Sequence, residues 1–546
     1  MTSVPHLRFA GLILTLIVII TAAFAQANPP PAAPSAEQAL QAAADLLQKG
    51  QFAEAAPLAR KAVALAPNSA VAHNLLGLVE EQLKQPATAQ AEYERAIQRD
   101  PKFAAAHANL GNLLLEQGKL VPARVQLQQA ITLDPNNAHA HYNLALLLIK
   151  DNQYANAADQ FEAVQKLRGD DPTVALMFIG AALKADQADR ALHAADALAA
   201  VNPGNAKILF NLALMLAQNA QYAKAAELFT QVNQLQPDTP EVLYNLGVAE
   251  HNLKHLDAAA TALAEAADLK PELAEAHFRL GLIASERLDS ENAILEFHHA
   301  IEQSPNRAQY YYLLGREQFA QGRWELAAAS YGKAAELDSK QALYALSLGN
   351  ALFRAENYAA AATAFETTAL LEPKTEDIQY LIGYCYRVQG SLDKASAHLE
   401  QQLKTDPNHV KALDSLGFIL LEQGDAQGAQ AQLEKASAIA PDDLDVSFDL
   451  ARTYARNKQT DKAIEAFQRV LRLSPENSQA HYQLFLLYNR TQRGDEAKTE
   501  LAEFQRLQEM DKMVRREETA LSKIRKAQAD RGQSAAPQNS SAGEIR

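Results

Sequence analysis

The sequence predicts an all-α chain, a superhelical solenoid of about fourteen helix-turn-helix units of 34 residues with a C-terminal capping helix. Three observations carry this. First, prolines keep one phase at Pro67, Pro101, Pro135, Pro203, Pro237, Pro271, Pro305, Pro373, Pro407, Pro441 and Pro475, every interval being 34 or 68 residues. Second, an alanine returns with the same period from Ala55 through Ala89 and Ala123 to Ala463 and Ala497, in fourteen phases of fourteen. Third, the chain is 48% hydrophobic yet only 7% aromatic and rich in alanine, which suits helices packed through small side chains better than a β-sandwich.

Each unit reads as two helices. Ten residues after most proline stops sits a small residue, as at Gly77, Gly111, Ala145, Ala213, Gly247, Gly281 and Gly349. In the unit that opens at Pro240, Leu243, Leu246 and Gly247 form one helical stripe. Lys254-His255 breaks it, and Ala259, Leu263, Ala266 and Leu269 form a second. Pro271 ends the unit, because proline disfavours helix in the residue before it. Two antiparallel helices approach closely only where one or both lack bulk, which accounts for the small slot and the alanine together. The skipped proline phases hold Gly169 and Ser339, which tolerate a helix stop. In the unit from Pro172 to Asn205 the glycine comes one residue late, at Gly180, so irregular packing is expected there.

The pattern places boundaries. Residues 1–25 read as a signal peptide: His6 and Arg8 precede an uncharged apolar run from Gly11 to Ala25, which ends in Ala23-Phe24-Ala25. A second cut is open after Ala27. The apolar core is short for a membrane span, which needs about 20 residues. Residues 26–35 form a proline-rich spacer, 36–511 the repeat array, 512–531 a capping helix and 532–546 a disordered tail. Residues 512–531 carry seven basic and three acidic side chains, a net of +4 on a chain whose formal charge is −14. That acidity excludes general binding to nucleic-acid phosphates. The single cysteine, Cys385, excludes an internal disulfide framework and a cysteine-rich zinc site, and its apolar helical setting reads as an inert buried thiol. One cysteine in so long an exported chain points to a bacterial periplasm or the cell exterior.

The repeat resembles the tetratricopeptide repeat family, whose pattern is two helices in 34 residues with Leu-Gly, then Ala, a large apolar residue and Pro. The matching residues are Leu110-Gly111, Ala123, Leu127, Ala130 and Pro135 in one unit, and Leu280-Gly281, Ala293, Phe297, Ala300 and Pro305 in another. The family's tryptophan slot departs from the pattern: it holds His73, His107, His141, His277 and His481, and elsewhere Leu209, Ala345 or Gln379. The resemblance implies that each unit's first helix lines a concave groove that holds extended peptides or a partner's helix. In that groove Asn109, Asn143, Asn211 and Asn245 form a candidate ladder, since a carboxamide both donates to and accepts from a peptide backbone. Arg279, Arg316, Arg354 and Arg452 are candidate contacts for acidic groups, with acidic neighbours on the same face to pair them.

Other patterns read as structural. His139 with His141, and His298 with His299, point apart on a helix, so no metal site is expected. Tyr142, Phe210, Tyr312, Phe448 and Tyr482 recur just after the tryptophan slot and read as packing between repeats. Ser391-Leu392-Asp393-Lys394 matches S-x-x-K, but no K-T-G follows. No phosphate-binding glycine loop or H-E-x-x-H occurs, and no cofactor is expected. The expected function is a non-catalytic scaffold that binds a protein or peptide outside the cytoplasm, periplasmic or secreted. Two alternatives stay open: the substrate-recognition or accessory subunit of an enzyme complex such as a glycosyltransferase, and a membrane-tethered envelope assembly factor if the N-terminal signal is uncleaved. A homo-oligomer through the C-terminal helix is a further expectation.

Overall fold

The computed structural model describes residues 35–169 and 171–534. The segments expected as a signal peptide and most of the spacer, and the residues beyond 534, lie outside the described residues. Among the described residues there are twenty-eight helices and no strand. They form fourteen consecutive pairs, from Ala36–Gln48 with Phe52–Leu65 to Ser478–Arg490 with Gly494–Ser534. The fold is an all-α array of helix-turn-helix repeats, as the period predicts. None of the described helices is long and apolar enough to cross a membrane.

The repeated residues occupy the positions that the spacing assigns them. The recurrent alanine is fully buried in every repeat from Ala55 to Ala463, and Ala497 is 2% exposed. The glycine slot faces the side chain sixteen residues on: a Cβ on Gly111 would lie 2.6 Å from Leu127, and one on Gly349 2.5 Å from the Phe365 ring. Real Cβ atoms do not approach that closely, so glycine sets the helix spacing there. Gly180 meets only Met215, at 3.4 Å, and its helix Pro172–Lys184 seats Ile179 in the core instead. The following helix, Ala188–Val201, packs only lightly on Ala206–Gln218. Irregularity at this repeat is therefore real, and local.

Entry and exit of the helices follow ordinary capping. Ser69, Asn137, Asn205 and Asn477 each accept a hydrogen bond from the backbone N–H three residues on. Between the two helices of every repeat one residue has positive φ: a glycine at 50, 118, 322, 390 and 424, and a non-glycine at the other nine, among them Lys84, Asn152, Ala220, Leu288 and Lys458. This left-handed residue reverses the chain in fourteen repeats of fourteen, a period that the prolines overshadow in the sequence.

The chain divides into two compact units, residues 1–279 and 280–546. In the first, one continuous apolar core runs from Ala43 to Ala249. In the second, the core is a series of clusters, each joining one helix pair to the next, such as Ala361, Phe365 and Ile382 or Ala395, Leu399 and Leu416. At the C-terminus Gly494–Ser534 is one helix of 41 residues, so residues 532–534 are helical and do not belong to the tail expected from 532. Its first part covers the last repeat through Ala497 and Leu507. From 508 to 521 every side chain is exposed. The covering is done by 494–507, and the stretch from 512, expected as the cap, projects past the repeat.

Candidate functional site

Within each unit the first helices of neighbouring repeats touch directly. Ala104–Glu116 meets Ala138–Lys150, and Val410–Glu422 meets both Ile378–Val388 and Leu444–Arg456. The second helices stand farther apart. The first-helix face is therefore the inner face of each unit, and it carries the candidate residues.

In the first unit that face is polar but largely self-satisfied. Asn109 is 3% exposed, and its Nδ2 donates to Asn74 Oδ1 at 2.9 Å. Asn143 is buried with its Nδ2 3.0 Å from His139 Nε2. Burial, with the Arg168 charge adding to it, pulls His139 down to about 4, so this imidazole is neutral and accepts that bond. Asn245 donates to its own helix at the Glu241 carbonyl, 2.6 Å away. Only Asn211 of the four is exposed and carries no hydrogen bond. The four carboxamides do not form a ladder of free groups, because Asn109 bonds to the preceding repeat and Asn143 and Asn245 bond within their own helices.

The second unit differs. Arg316 donates to Ser285 Oγ at 2.8 Å and pairs with Glu317. Arg354 lies 5.8 Å from the Trp324 ring, and Arg279 is half-buried on its helix. Arg452 is held by Asp449 and Glu422, each at 3.0 Å, and lies over the Phe418 ring at 5.6 Å. Arg387 also meets this group: its guanidinium is 4.9 Å from Tyr384 and 5.1 Å from Phe418. Rings and guanidinium groups thus alternate, Tyr384, Arg387, Phe418, Arg452, across three successive first helices. Arg387 has no ion pair, and its buried Nε has no hydrogen-bond partner. Nearby Asp414 likewise has a buried Oδ1 without a partner. Burial pushes Asp414 up to about 7, with the carboxylates of Asp449, Asp445 and Asp443 adding to it and Arg387 opposing. A donor and an acceptor, both unmet, lie on one face. Sequence reading singles out neither residue, since nothing in the spacing says which charges pair.

A family model described as tetratricopeptide repeat matches residues 40–102, 176–234, 218–274, 278–342 and 346–410, together more than half of the chain. The chain belongs to the tetratricopeptide repeat family. Further models of the same description match 420–471, 456–511, 92–123 and 138–171. A search of curated proteins finds no match. Among solved structures, MamA from Desulfovibrio magneticus RS-1 is 24% identical, with 31% of this chain and 97% of that chain covered and a TM-score of 0.29. Yeast Tom70 is 18% identical over 78% of this chain and 96% of its own, TM-score 0.29. YrrB, titled a TPR protein with an unusual peptide-binding site, is 23% identical over 36% and 97%, TM-score 0.29. At these scores the likenesses carry no argument of their own. Tetratricopeptide repeats are in general non-catalytic scaffolds, and this chain has that scaffold.

The tetratricopeptide tryptophan slot is rebuilt here around histidine. His73 Nε2 donates to the Pro67 carbonyl at 3.1 Å, and its Nδ1 meets Glu92 at 2.6 Å. His107 joins Pro101 to Gln126, His141 joins Pro135 to Gln160, and His481 joins Pro475 to Glu500, with the same six- and nineteen-residue offsets. Each ring ties the stop of the preceding repeat to both helices of its own, so it acts as a clasp. His139 and His141 serve different partners, as expected of residues two apart on a helix. Against the expectation of no metal site, His299 instead meets His277 and Glu296, with ligand atoms within 4.8 Å of one another, close enough to hold an ion. The aromatics that follow the slot pack on their own repeat's second helix: Tyr142 on Phe161, Phe210 on Phe229 and Phe448 on Phe467, with centroids 5.7–5.8 Å apart. That corrects the expectation of packing between repeats, which holds for Tyr312 against Tyr344 at 5.2 Å. Cys385 is fully buried, and burial pushes its thiol up to about 12, which keeps it protonated and inert.

Proposed function

We propose that the chain is a non-catalytic scaffold that acts outside the cytoplasm and holds an extended segment of a protein or peptide along the first-helix face of its second unit. The observation that carries this is the unmet pair, Arg387 and Asp414. Both side chains are only half-buried, and a peptide group offers a carbonyl oxygen for a guanidinium and an N–H for a carboxylate. Bonds to charged groups are stronger than neutral ones, and the flanking rings of Tyr384 and Phe418 fix the guanidinium before the ligand arrives. The apolar run from Gly11 to Ala25 with its Ala-x-Ala ending supports export.

The binding test is a random dodecamer peptide library displayed on phage and selected against the full chain. Selected peptides should bind the Arg387→Ala and Asp414→Asn variants about tenfold or more weakly, with helicity unchanged, since a bond to a charged group is worth about 1.5–3 kcal/mol. Peptides that bind both variants as tightly as the parent, or no selection at all, would refute the reading. For export, mass spectrometry of the protein from a periplasmic fraction should find a mature N-terminus at Gln26 or Asn28. Intact Met1 on membrane-bound protein would favour a tethered factor instead.

A further inference from the structure

The C-terminal helix, Gly494–Ser534, continues for 27 residues past Leu507, the last of its buried residues among those whose burial is described. At 1.5 Å per residue that is roughly 40 Å of helix. Its side chains are exposed from 508 to 521, yet it is not polar all round. Met510, Met513, Val514 and Leu521 are 42%, 66%, 52% and 50% exposed. They fall on one side of the helix, interrupted there by Glu517, while Lys512, Arg515, Arg516 and Lys523 fall on the other. The same end of the molecule leaves Tyr482 and Leu486 of the last first helix 38% exposed each.

We propose that two copies of this chain associate tail to tail, their C-terminal helices antiparallel, so that each projecting helix covers the open end of the other copy's last repeat. A two-fold axis makes one surface complementary to itself, and here each copy supplies both halves: an uncovered apolar stripe and an uncovered final flank. Charge sets the partner and the direction. Residues 494–507 hold four acidic and two basic residues, whereas 512–531 hold seven basic and three acidic. Asp495, Glu496 and Glu503 of the first stretch pair with Lys498, Arg493 and Arg506 of their own chain, with side-chain exposures of 98%, 47% and 43%, so these are surface pairs that a second copy's cations can exchange. An antiparallel pair sets the basic half of each helix beside the acidic half of the other, and a parallel pair sets like beside like. The full helix is roughly 60 Å long and 10 Å wide, so the footprint is about 600 Å² per copy and roughly 1,200 Å² in total. That clears the size of about 1,000 Å² that a specific interface needs.

The test is sedimentation of the full chain in a mild detergent from about 1 to 50 μM. The expected result is a dimer whose dissociation constant rises at least tenfold in the triple variant Met510→Glu, Val514→Glu, Leu521→Glu. All three sites lie on exposed helix, so the repeats should stay folded, as circular dichroism will report. Charge reversal reads the direction. The basic-side variant Lys512→Glu, Arg515→Glu, Arg516→Glu, Lys523→Glu should dimerise poorly alone. It should recover when mixed with the acidic-side variant Asp495→Lys, Glu496→Lys, Glu503→Lys. A monomer throughout the range would overturn the proposal, as would a dimer indifferent to the triple variant. So would a monomeric chain whose helix binds phosphatidylglycerol vesicles, which would assign the stripe to a lipid surface.

Discussion

Consider Gly349→Ala beside Gly332→Ala. Both glycines are helical, one in Ala342–Arg354 and one in Trp324–Leu337, and neither has positive φ. Alanine in place of glycine stabilises a helix interior by about 0.8–1 kcal/mol, and that gain is common to both. The surroundings differ. A methyl on Gly332 would find its nearest neighbour, Leu348, at 3.8 Å, an ordinary contact. A methyl on Gly349 would sit 2.5 Å from two atoms of the Phe365 ring and 3.1 Å from a third. Phe365 is fully buried, so the ring has no free space to enter. Other repeats show what relief would take: Ala145 faces Phe161 and Ala451 faces Phe467, all four buried, so an alanine fits once the pair is spaced for it. In this repeat the spacing is set at the glycine distance, and forcing a methyl in costs about 1–3 kcal/mol. The difference between the variants should therefore be about 1–3 kcal/mol, with Gly332→Ala the more stable. Repeat arrays need not unfold in one step, so denaturant melts should be joined by hydrogen exchange over residues 342–371. Equal stabilisation by the two substitutions would refute the argument that glycine sets helix spacing.

Three further outcomes are expected. Glu92→Gln should be tolerated, because Gln126 and Gln160 fill the equivalent place, while Glu92→Ala strands His73 Nδ1 and should cost about 1–3 kcal/mol in a denaturant melt. Asn109→Ala should destabilise through the lost buried bond to Asn74, whereas Asn211→Ala on the open face should leave stability within about 0.5 kcal/mol; thermal melts compare them. Asp414 has its folded value raised from 3.8 to about 7, so the native state holds the proton longer and stability falls as pH rises across that interval. Asp414→Asn should therefore gain on the parent at pH 8 relative to pH 4 in paired melts, and a constant difference would count against a buried, unmet carboxylate.

The period made the fold legible because each unit must bury the same kind of face on the next. Pro271, Gly247 and Ala259 are local signals, and each holds its place in the structure. The late Gly180 even marked the irregular repeat. The binding face was less legible. Asn109 and Asn74 meet across 35 residues, and whether an amide there points to a neighbour or to a ligand depends on side-chain rotation. Arg452 and Arg387 look alike in sequence, yet two carboxylates hold the first and two rings the second. The helix past Leu507 was expected from its spacing. That it projects instead of capping follows from where the last repeat ends.

The turn between the helices of each repeat has a consequence for how the chain can be tuned. Nine of its fourteen left-handed residues are not glycine, and Leu288, 90% exposed, gains no packing in return. A left-handed non-glycine residue carries a local strain of about 1 kcal/mol. The same small strain is thus distributed along the chain at a fixed interval, in the turn between the two helices of each repeat. Rigidity can be raised or lowered there one repeat at a time, like the stops of an instrument, without changing a residue that a ligand would touch.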